Sequence, residues 1–190
     1  MSAHIRVFPG EDLSPHSAAL HSVYSMPSAP HPGTRTQGKA TACLGRLEED
    51  VKRPGFTAAV ALEGPDVVGF TTAWTTMAPF PTDRCYPQAT VGLGPQRTAE
   101  WLCGAGEIDE LAVRPAVQGT GLAAELLEAV TADAPEGRSW LLTSVRASRA
   151  MAFYRRQGWT QATHPAPEGE GVAVFLGPRH PAGVLAAPPL

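Results

Sequence analysis

The sequence predicts a mixed α/β fold, and three observations carry that prediction. Apolar runs of strand length recur along the chain: HIRVF, FTAAVALE, DVVGFTTAWTT, GEIDELAV and SWLLTSV. Between them lie stretches whose apolar residues recur at helical spacing. Turn formers punctuate the junctions, with 19 Gly and 19 Pro among 190 residues. That is above the usual share for a globular domain and below the level of low-complexity chains, which points to a compact core with long or stiff loops.

The elements follow in order. His4 to Phe8 alternates as a first strand, and Ser14 to Ser25 is helical, with Leu20, Val23 and Tyr24 sharing a face. Residues 25–39 form a Pro/Gly/Ser-rich loop. A second amphipathic helix is expected from Thr41 to Lys52, closed by Pro54 and Gly55. Two β-rich runs around Glu63–Asp66 read as a hairpin turning at Gly64 and Pro65. Residues 76–104 are the least regular part of the interior, with one short helix in GPQRTAEWLCG. So long an irregular connection is either functional or a decoration over the core.

Gly106 to Val113 is a strand closed by Arg114 and Pro115, and Gly119 to Val130 a helix with Leu122, Leu126, Leu127 and Val130 as its buried stripe. Ser139 to Val145 reads as a strand buried on both faces. Ser148 suits the N-cap of a helix running to Gln157, with Gly158 at its exit. Two last strands, Trp159–Thr163 and Val172–Leu176, flank the loop HPAPEGEG. No repeat or linker divides the chain, so residues 1–178 are expected to form a single domain, with 179–190 a flexible tail.

Composition excludes several function classes. Apolar residues make up 43% of the chain, enough for a core. With 15 basic against 18 acidic residues, a net of −3, the basic excess of a general nucleic-acid binder is missing. Cys43, Cys85 and Cys103 form no C-x-x-C pair, and the six histidines form no H-x-x-x-H pair. Neither a disulfide framework nor a metal site is therefore expected. The N-terminus does not read as a signal peptide and no apolar run reaches membrane-spanning length, so the expectation is a cytoplasmic protein with reduced thiols and no membrane partner.

The chemistry is concentrated at the junction AVRPAVQGTGLAAE, Ala112 to Glu125, where a strand runs through two glycines into a helix. Small residues at 119, 121 and 123 let backbone approach a ligand, and the first N–H groups of a helix have no internal partner and sit at its positive dipole end. Together they make a cradle for an anion such as a pyrophosphate. The segment has neither the Gly-Lys-Ser/Thr of a P-loop nor G-x-G-x-x-G with a downstream acid. Taken alone, it is equally readable as a structural tight turn, and then the protein would be a structural or interaction module.

Q-x-x-G-x-A at Gln118, Gly121 and Ala123 resembles the acyl-CoA signature of the GNAT superfamily of N-acyltransferases, and Leu111–Pro115 resembles the strand end that precedes it. About 30 residues on, ASRAMAFYRRQGW (Ala147 to Trp159) is similar to the family's second block, which begins with Asn-x-x-Ala. The resemblance implies a mostly antiparallel, six- to seven-stranded sheet flanked by helices, with two central strands splayed around acetyl-CoA as co-substrate. Leu111, Ala112 and Val113 would pair with the pantetheine arm. Gln118, Gly119, Thr120, Gly121, Leu122 and Ala123 would hold the pyrophosphate. Arg146, Arg149, Arg155 and Arg156 are candidates for phosphate contacts, or else a solvated helix face.

The implied activity is N-acetyl transfer to a primary amine of a small molecule or peptide by direct attack on the thioester. The alternative is a non-catalytic acyl-CoA-binding or regulatory module of the same fold. Tyr154 matches the tyrosine assigned as the acid for the leaving thiolate; otherwise it is a core aromatic. Glu107 matches the base glutamate of some members, with Asp109 and Glu110 as the other candidates on the strand. In a regular strand Glu107 and Asp109 share a face and Glu110 points away. One departure stands out: the family asparagine falls at Ala147, with Ser148 the available substitute. Residues 25–39, 76–104 and 164–171 are the expected acceptor side, with Trp74, Tyr86 and Trp101 as candidate walls and Asp83 and Arg84 as candidate charges; the alternative for each is ordinary packing or surface. Homodimers are common among such proteins, which makes a second copy of the chain a candidate partner, but the sequence does not give the oligomeric state.

Overall fold

The structure is a computed structural model that describes residues 3–25, 47–165 and 171–186. Its seven strands are β1 (His4–Pro9), β2 (Thr57–Glu63), β3 (Asp66–Thr75), β4 (Gly106–Val113), β5 (Ser139–Ser144), β6 (Thr160–Gln161) and β7 (Val172–Leu176). They form a mostly antiparallel sheet of order β1-β2-β3-β4-β5-β7-β6, flanked by helices, which is the fold class the sequence predicts. The described residues group into two compact units, one drawn from Met1–Trp74 and Glu110–Ala132, the other from Thr75–Asp109 and Asp133–Leu190.

In the first unit, β1 pairs antiparallel with β2 from His4↔Leu62 to Pro9↔Thr57, and β2 with β3 across the Gly64–Pro65 turn. Period-two alternation is lost in β2 and β3 because most of their residues are buried, which lets small Ala and Thr side chains occupy both faces. Helix α1 (Ser17–Ser25) places Leu20 and Val23 in a core with Phe8, Phe56, Val60, Phe70 and Trp74. The predicted loop over 25–39 and the start of the predicted helix at 41–46 lie outside the described residues, apart from the backbone of Ser25. Residues 47–50 are helical, and Leu47 and Val51 pack on that core.

Chain geometry in this unit also positions the glycine junction. Gly69 has no room for a side chain: a Cβ there would stand 2.9 Å from Val113 Cγ1 and 3.1 Å from Leu126 Cδ1. That close approach seats helix α3 (Leu122–Thr131, following α2, Tyr86–Leu93), whose Leu122, Leu126, Leu127 and Val130 are buried as the sequence predicts. The helix begins three residues later than its apolar pattern suggests, because Gly121 is left-handed.

In the second unit, β5 pairs antiparallel with β7, and β6 lies outside β7. The parallel register of β4 with β5 covers three pairs, Gly106↔Ser139 to Ile108↔Leu141. The segment expected to be least regular holds α2, a turn at Pro95–Arg97 and a π-helical turn at Thr98–Leu102. Its prolines conceal α2 from the sequence: Pro87 occupies the first turn, where a missing N–H costs nothing. Tyr86, Ala89, Leu93, Trp101 and Leu102 thereby join Trp140, Val174 and Leu176 in a second core. Helix α4 (Ser148–Arg156) follows β5, with Ala147 rather than Ser148 at its N-cap and no side-chain cap.

Part of the predicted tail is packed. His180 is 5% exposed and Ala182 joins the second core, followed by the short helix α5 (Gly183–Ala186). The Ala182 N–H donates to His180 Nδ1 (3.1 Å), so the other ring nitrogen, Nε2, carries the proton and donates to the Trp101 carbonyl at 2.9 Å. This anchor joins residues 79 positions apart, which the segment's own low charge and prolines do not reveal.

Candidate active site

The predicted cofactor residues lie in the first unit. Leu111, Ala112 and Val113 end β4, with Ala112 buried and the other two half-buried. The chain then passes a single 3-10 turn at Pro115–Val117 into Gln118, Gly119, Thr120 and Gly121, all exposed. Gly119 (φ 81°) and Gly121 (φ 95°) are left-handed, a conformation that costs other residues roughly 1–2 kcal/mol. A Cβ on Gly119 would meet nothing within 4 Å, so glycine is required there by backbone conformation and not by crowding.

The local bonds of this turn are internal. The Thr120 hydroxyl donates to the Val117 carbonyl at 2.8 Å, and the Gly121 carbonyl accepts from Ala124 N–H (2.8 Å) and Glu125 N–H (3.2 Å). These are the first bonds of the helix, so the N–H groups of Leu122 and Ala123 precede the helical ladder and stand at its positive end. An open, exposed backbone turn leading to a helix N-terminus fits a phosphate group. Glu125, in the first turn, is an acid beside it: its Oε1 lies 3.9 Å from an ideal Cβ on Gly121.

The proposed base and acid both lie in the second unit, each in its own cluster. Glu107 is 4% exposed. The Tyr86 hydroxyl donates to its Oε1 at 2.8 Å, and the Thr76 hydroxyl to its Oε2 at 3.4 Å. Thr76 Oγ1 in turn accepts from the Trp140 indole N–H at 2.7 Å. Asp109, two residues along β4, forms an ion pair with Arg84 at 3.1 Å. The three candidate carboxylates are thus distinguished: Asp109 is matched by a cation, Glu107 is held by neutral hydroxyls, and Glu110, in the first unit, donates its backbone N–H to Thr72 Oγ1.

Tyr154, on α4, is half-buried among rings: Phe153 at 5.4 Å, Trp159 at 6.0 Å and Phe175 at 5.8 Å between centroids. This packing fixes the ring whatever the hydroxyl does. Ala147, at the family asparagine position, bonds through its backbone alone in this turn, its N–H to the Ser144 carbonyl and its carbonyl from Met151 N–H, both at 2.9 Å. Arg146, Arg149, Arg155 and Arg156 are exposed, and the Arg155 guanidinium donates to Gln161 Oε1. His164 and Pro165, on the expected acceptor side, line a groove of about 510 Å³ with Val145, Met151, Arg155, Thr160 and Gln161.

The three candidate acceptor walls take the other reading open to them, ordinary packing. Tyr86 (1% exposed), Trp74 (2%) and Trp101 (8%) are core residues. Tyr86 spends its hydroxyl on Glu107, and Trp74 is covered by Phe56 and the Arg53 guanidinium. Thr76 and Trp140 were not singled out from the sequence at all. Their roles depend on pairings 31 and 64 residues apart, for which the sequence carries no local signal. Among the described residues no cluster of metal-ligating side chains occurs, and no helix is long and apolar enough to cross a membrane.

Comparison with known proteins bears on this geometry. Residues 54–161 match the family model described as acetyltransferase (GNAT) domain. No curated protein matches the sequence. Among solved structures, the chain is similar to a protein of Desulfovibrio desulfuricans assigned to the GNAT family of acetyltransferases, with TM-score 0.60 and 18% identity over 92% of this chain and 96% of that one. It is also similar to the PaiA N-acetyltransferase of Thermoplasma acidophilum in complex with coenzyme A (TM-score 0.56, 14% identity, 93% and 99% covered). A chain of the NatC complex bound to Gag peptide and CoA gives TM-score 0.54 and 16% identity, with 93% and 97% covered. At these identities the structural likeness speaks for the fold.

Proposed function

The chain belongs to the GNAT family of acetyltransferases, which use acetyl-CoA, and from that premise we propose that it moves an acetyl group from acetyl-CoA to a primary amine of a small molecule or peptide. The observation that carries this reading is the Gln118–Ala123 junction: two left-handed glycines at an exposed helix entry, in the part of the chain the family model matches. The backbone of Gln118, Gly119, Thr120, Gly121, Leu122 and Ala123 would hold the pyrophosphate. Leu111, Ala112 and Val113 would offer strand hydrogen bonds to the pantetheine arm. When bound, the co-substrate supplies an activated acyl group and a thiolate leaving group.

The protein's own residues then manage protons. An amine is protonated at neutral pH and cannot attack until a base takes its proton. Glu107 takes that role, directly or through one water. The amine nitrogen would bond to the thioester carbon as the carbon–sulfur bond breaks, with Tyr154 supplying a proton to the departing sulfur; the nitrogen's second proton, shed as the amide forms, restores the Tyr154 hydroxyl by way of solvent, and Glu107 releases the first to solvent. The acceptor is amine-bearing, a choice supported by the peptide and N-acetyltransferase relatives. Residues 1–178 act as a single catalytic domain. The second reading is a non-catalytic acyl-CoA-binding or regulatory module of the same fold; Ala147, without the side-chain amide that the family has at this position, removes one contact to the pantetheine in either reading.

Two measurements test the proposal. Acetyl-CoA and free CoA should raise the melting temperature at concentrations well above their dissociation constants. Release of free CoA should then accelerate with at least one member of a panel of amines, amino acids and peptides. Binding without turnover across the panel selects the non-catalytic module. Absence of any thermal shift defeats both readings.

A further inference from the structure

We infer that Tyr86 and Thr76 are positioning residues for Glu107, holding its carboxylate ionised and in one orientation for proton transfer. This rests on the reading of Glu107 as the base and adds to it the residues through which the fold prepares that base. The directions of the hydrogen bonds carry the argument. An indole N–H can only donate, so Trp140 gives its hydrogen to Thr76 Oγ1 at 2.7 Å. With that lone pair engaged, the hydroxyl of Thr76 directs its own hydrogen to Glu107 Oε2 at 3.4 Å. The Tyr86 hydroxyl donates to Oε1 at 2.8 Å. Both carboxylate oxygens thus face donors, and an ionised carboxylate only accepts. A protonated Glu107 would lose one of these two bonds unless a hydroxyl turned to accept from it. Burial opposes the charge, and the two donors oppose burial.

The donors are themselves held by packing. Tyr86 meets Phe80 edge-on at 5.3 Å and Trp140 at 6.2 Å, and Phe80 meets Trp140 at 5.8 Å. The hydroxyl is therefore placed by two neighbouring rings and not by Glu107 alone. Two residues earlier, Arg84 adopts a left-handed backbone (φ 50°), rare for a residue with a side chain, and its guanidinium pairs with Asp109. Residues 84 and 86 thus grip positions 109 and 107 of β4.

Arg138, His180 and Cys103 are other titratable or charged groups of this unit whose surroundings are defined. Arg138 donates to the Cys103 and Glu100 carbonyls and pairs with Glu136. Burial lowers the His180 pKa, its Nδ1 accepting from the Ala182 N–H, and burial pushes the Cys103 thiol up.

The test follows the carboxyl carbon of Glu107 by ¹³C NMR titration, assigned with Glu107→Gln, in the parent and in Tyr86→Phe, Thr76→Val and Thr76→Ser. Tyr86→Phe keeps the ring and removes the donor, so the Glu107 midpoint should move to higher pH. Thr76→Val should move it less, as its bond is longer, and Thr76→Ser should restore it. With acetyl-CoA and an accepted amine, or with acetyl-CoA hydrolysis, the acid limb of kcat should move the same way. We expect kcat to fall about tenfold, on the low side of a lost acid–base contribution, with KM for acetyl-CoA nearly unchanged.

A folded Tyr86→Phe protein with unaltered midpoint and acid limb overturns the inference. If Tyr86→Phe does not fold, the contrast between Thr76→Val and Thr76→Ser decides by the same readouts. Full activity in Glu107→Gln defeats the base reading itself, and the positioning role with it. Loss of activity in Glu107→Gln beside an unperturbed Tyr86→Phe leaves the base in place and removes only the positioning.

Discussion

The glycine junction at 118–123 and the Glu107 cluster solve opposite problems with opposite means. The junction is exposed and built from backbone: its working groups are N–H donors, its key residues have no side chains, and its bonds span three or four residues. The Glu107 cluster is buried and built from side chains, with partners 21 and 31 residues away in sequence. A phosphate brings its own charge and needs only oriented donors near water. A base must keep one proton-accepting group in a defined state, which requires that water be replaced by fixed partners. The difference predicts that the two regions respond to different perturbations: chemistry and pH act on the buried one, backbone conformation and salt on the exposed one.

The largest effect should come from the buried side. Glu107→Gln keeps size and burial while removing the basic oxygen, so kcat should fall by at least ~100-fold, the lower end of what general acid–base catalysis contributes. Affinity for CoA, measured by calorimetry, should not change, because the junction is built from other residues. Loss of CoA binding in this variant would break the distinction between the two regions. The converse change is Gly121→Ala. Forcing φ 95° on alanine costs roughly 1–2 kcal/mol, which the chain relieves by letting the turn relax. CoA should then bind about tenfold more weakly, since 1.4 kcal/mol is a factor of ten, while kcat at saturating acetyl-CoA stays near the parent value. A large kcat loss with unchanged CoA affinity would count against the cradle.

This contrast also explains what could be read from the sequence. Gln118 to Ala123 announces itself because strand, glycines and helix stripe are neighbours in the chain, and each leaves a local pattern. The buried stripe of α3 and the Gly64–Pro65 hairpin were legible for the same reason. The helix start was misplaced by three residues because its apolar pattern continues through a turn that only the left-handed φ of Gly121 ends. Tyr86 could be read only as a candidate wall or as ordinary packing because α2 hides behind Pro87, and its bond to Glu107 joins positions 21 apart. Thr76 and Trp140 have no local signature whatever, since their function is defined by where three separate segments meet.

pH should separate the regions next. His180 belongs to the buried side, and its pKa lies below the ordinary histidine value of about 6.5 mainly because burial disfavours the cation; the bond to the Trp101 carbonyl opposes this and Arg138 adds to it. The unfolded chain therefore binds the proton more readily than the fold. His180 stabilises fully above pH ~6.5, and that contribution is lost as pH falls through the lowered folded value, with a slope of at most ~1.4 kcal/mol per pH unit for one proton. His180→Gln, which can still donate and accept, should flatten the fall in urea midpoint between pH 7.5 and 5.5. An equally steep fall in the variant would show that the sensitivity lies elsewhere.

The smallest expected effect sharpens the exposed side. Glu125 sits in the first turn of α3, where its charge favours the helix dipole by about 0.3–1 kcal/mol, yet it stands beside the turn that would take a pyrophosphate. The same carboxylate that steadies the helix end must repel the ligand. Glu125→Gln should therefore lower the melting temperature of the free protein slightly and tighten CoA binding about two- to fivefold at low salt, the equivalent of that energy. Because the side chain is exposed, the gain should fade as salt shortens the screening length from about 10 Å at 0.1 M toward 3 Å at 1 M. Titration calorimetry at two salt concentrations reads both parts. A gain that persists at high salt would mean Glu125 blocks the turn sterically. Weaker binding would mean that the acid helps to hold the ligand, and the pyrophosphate would then have to lie elsewhere than on residues 118–123.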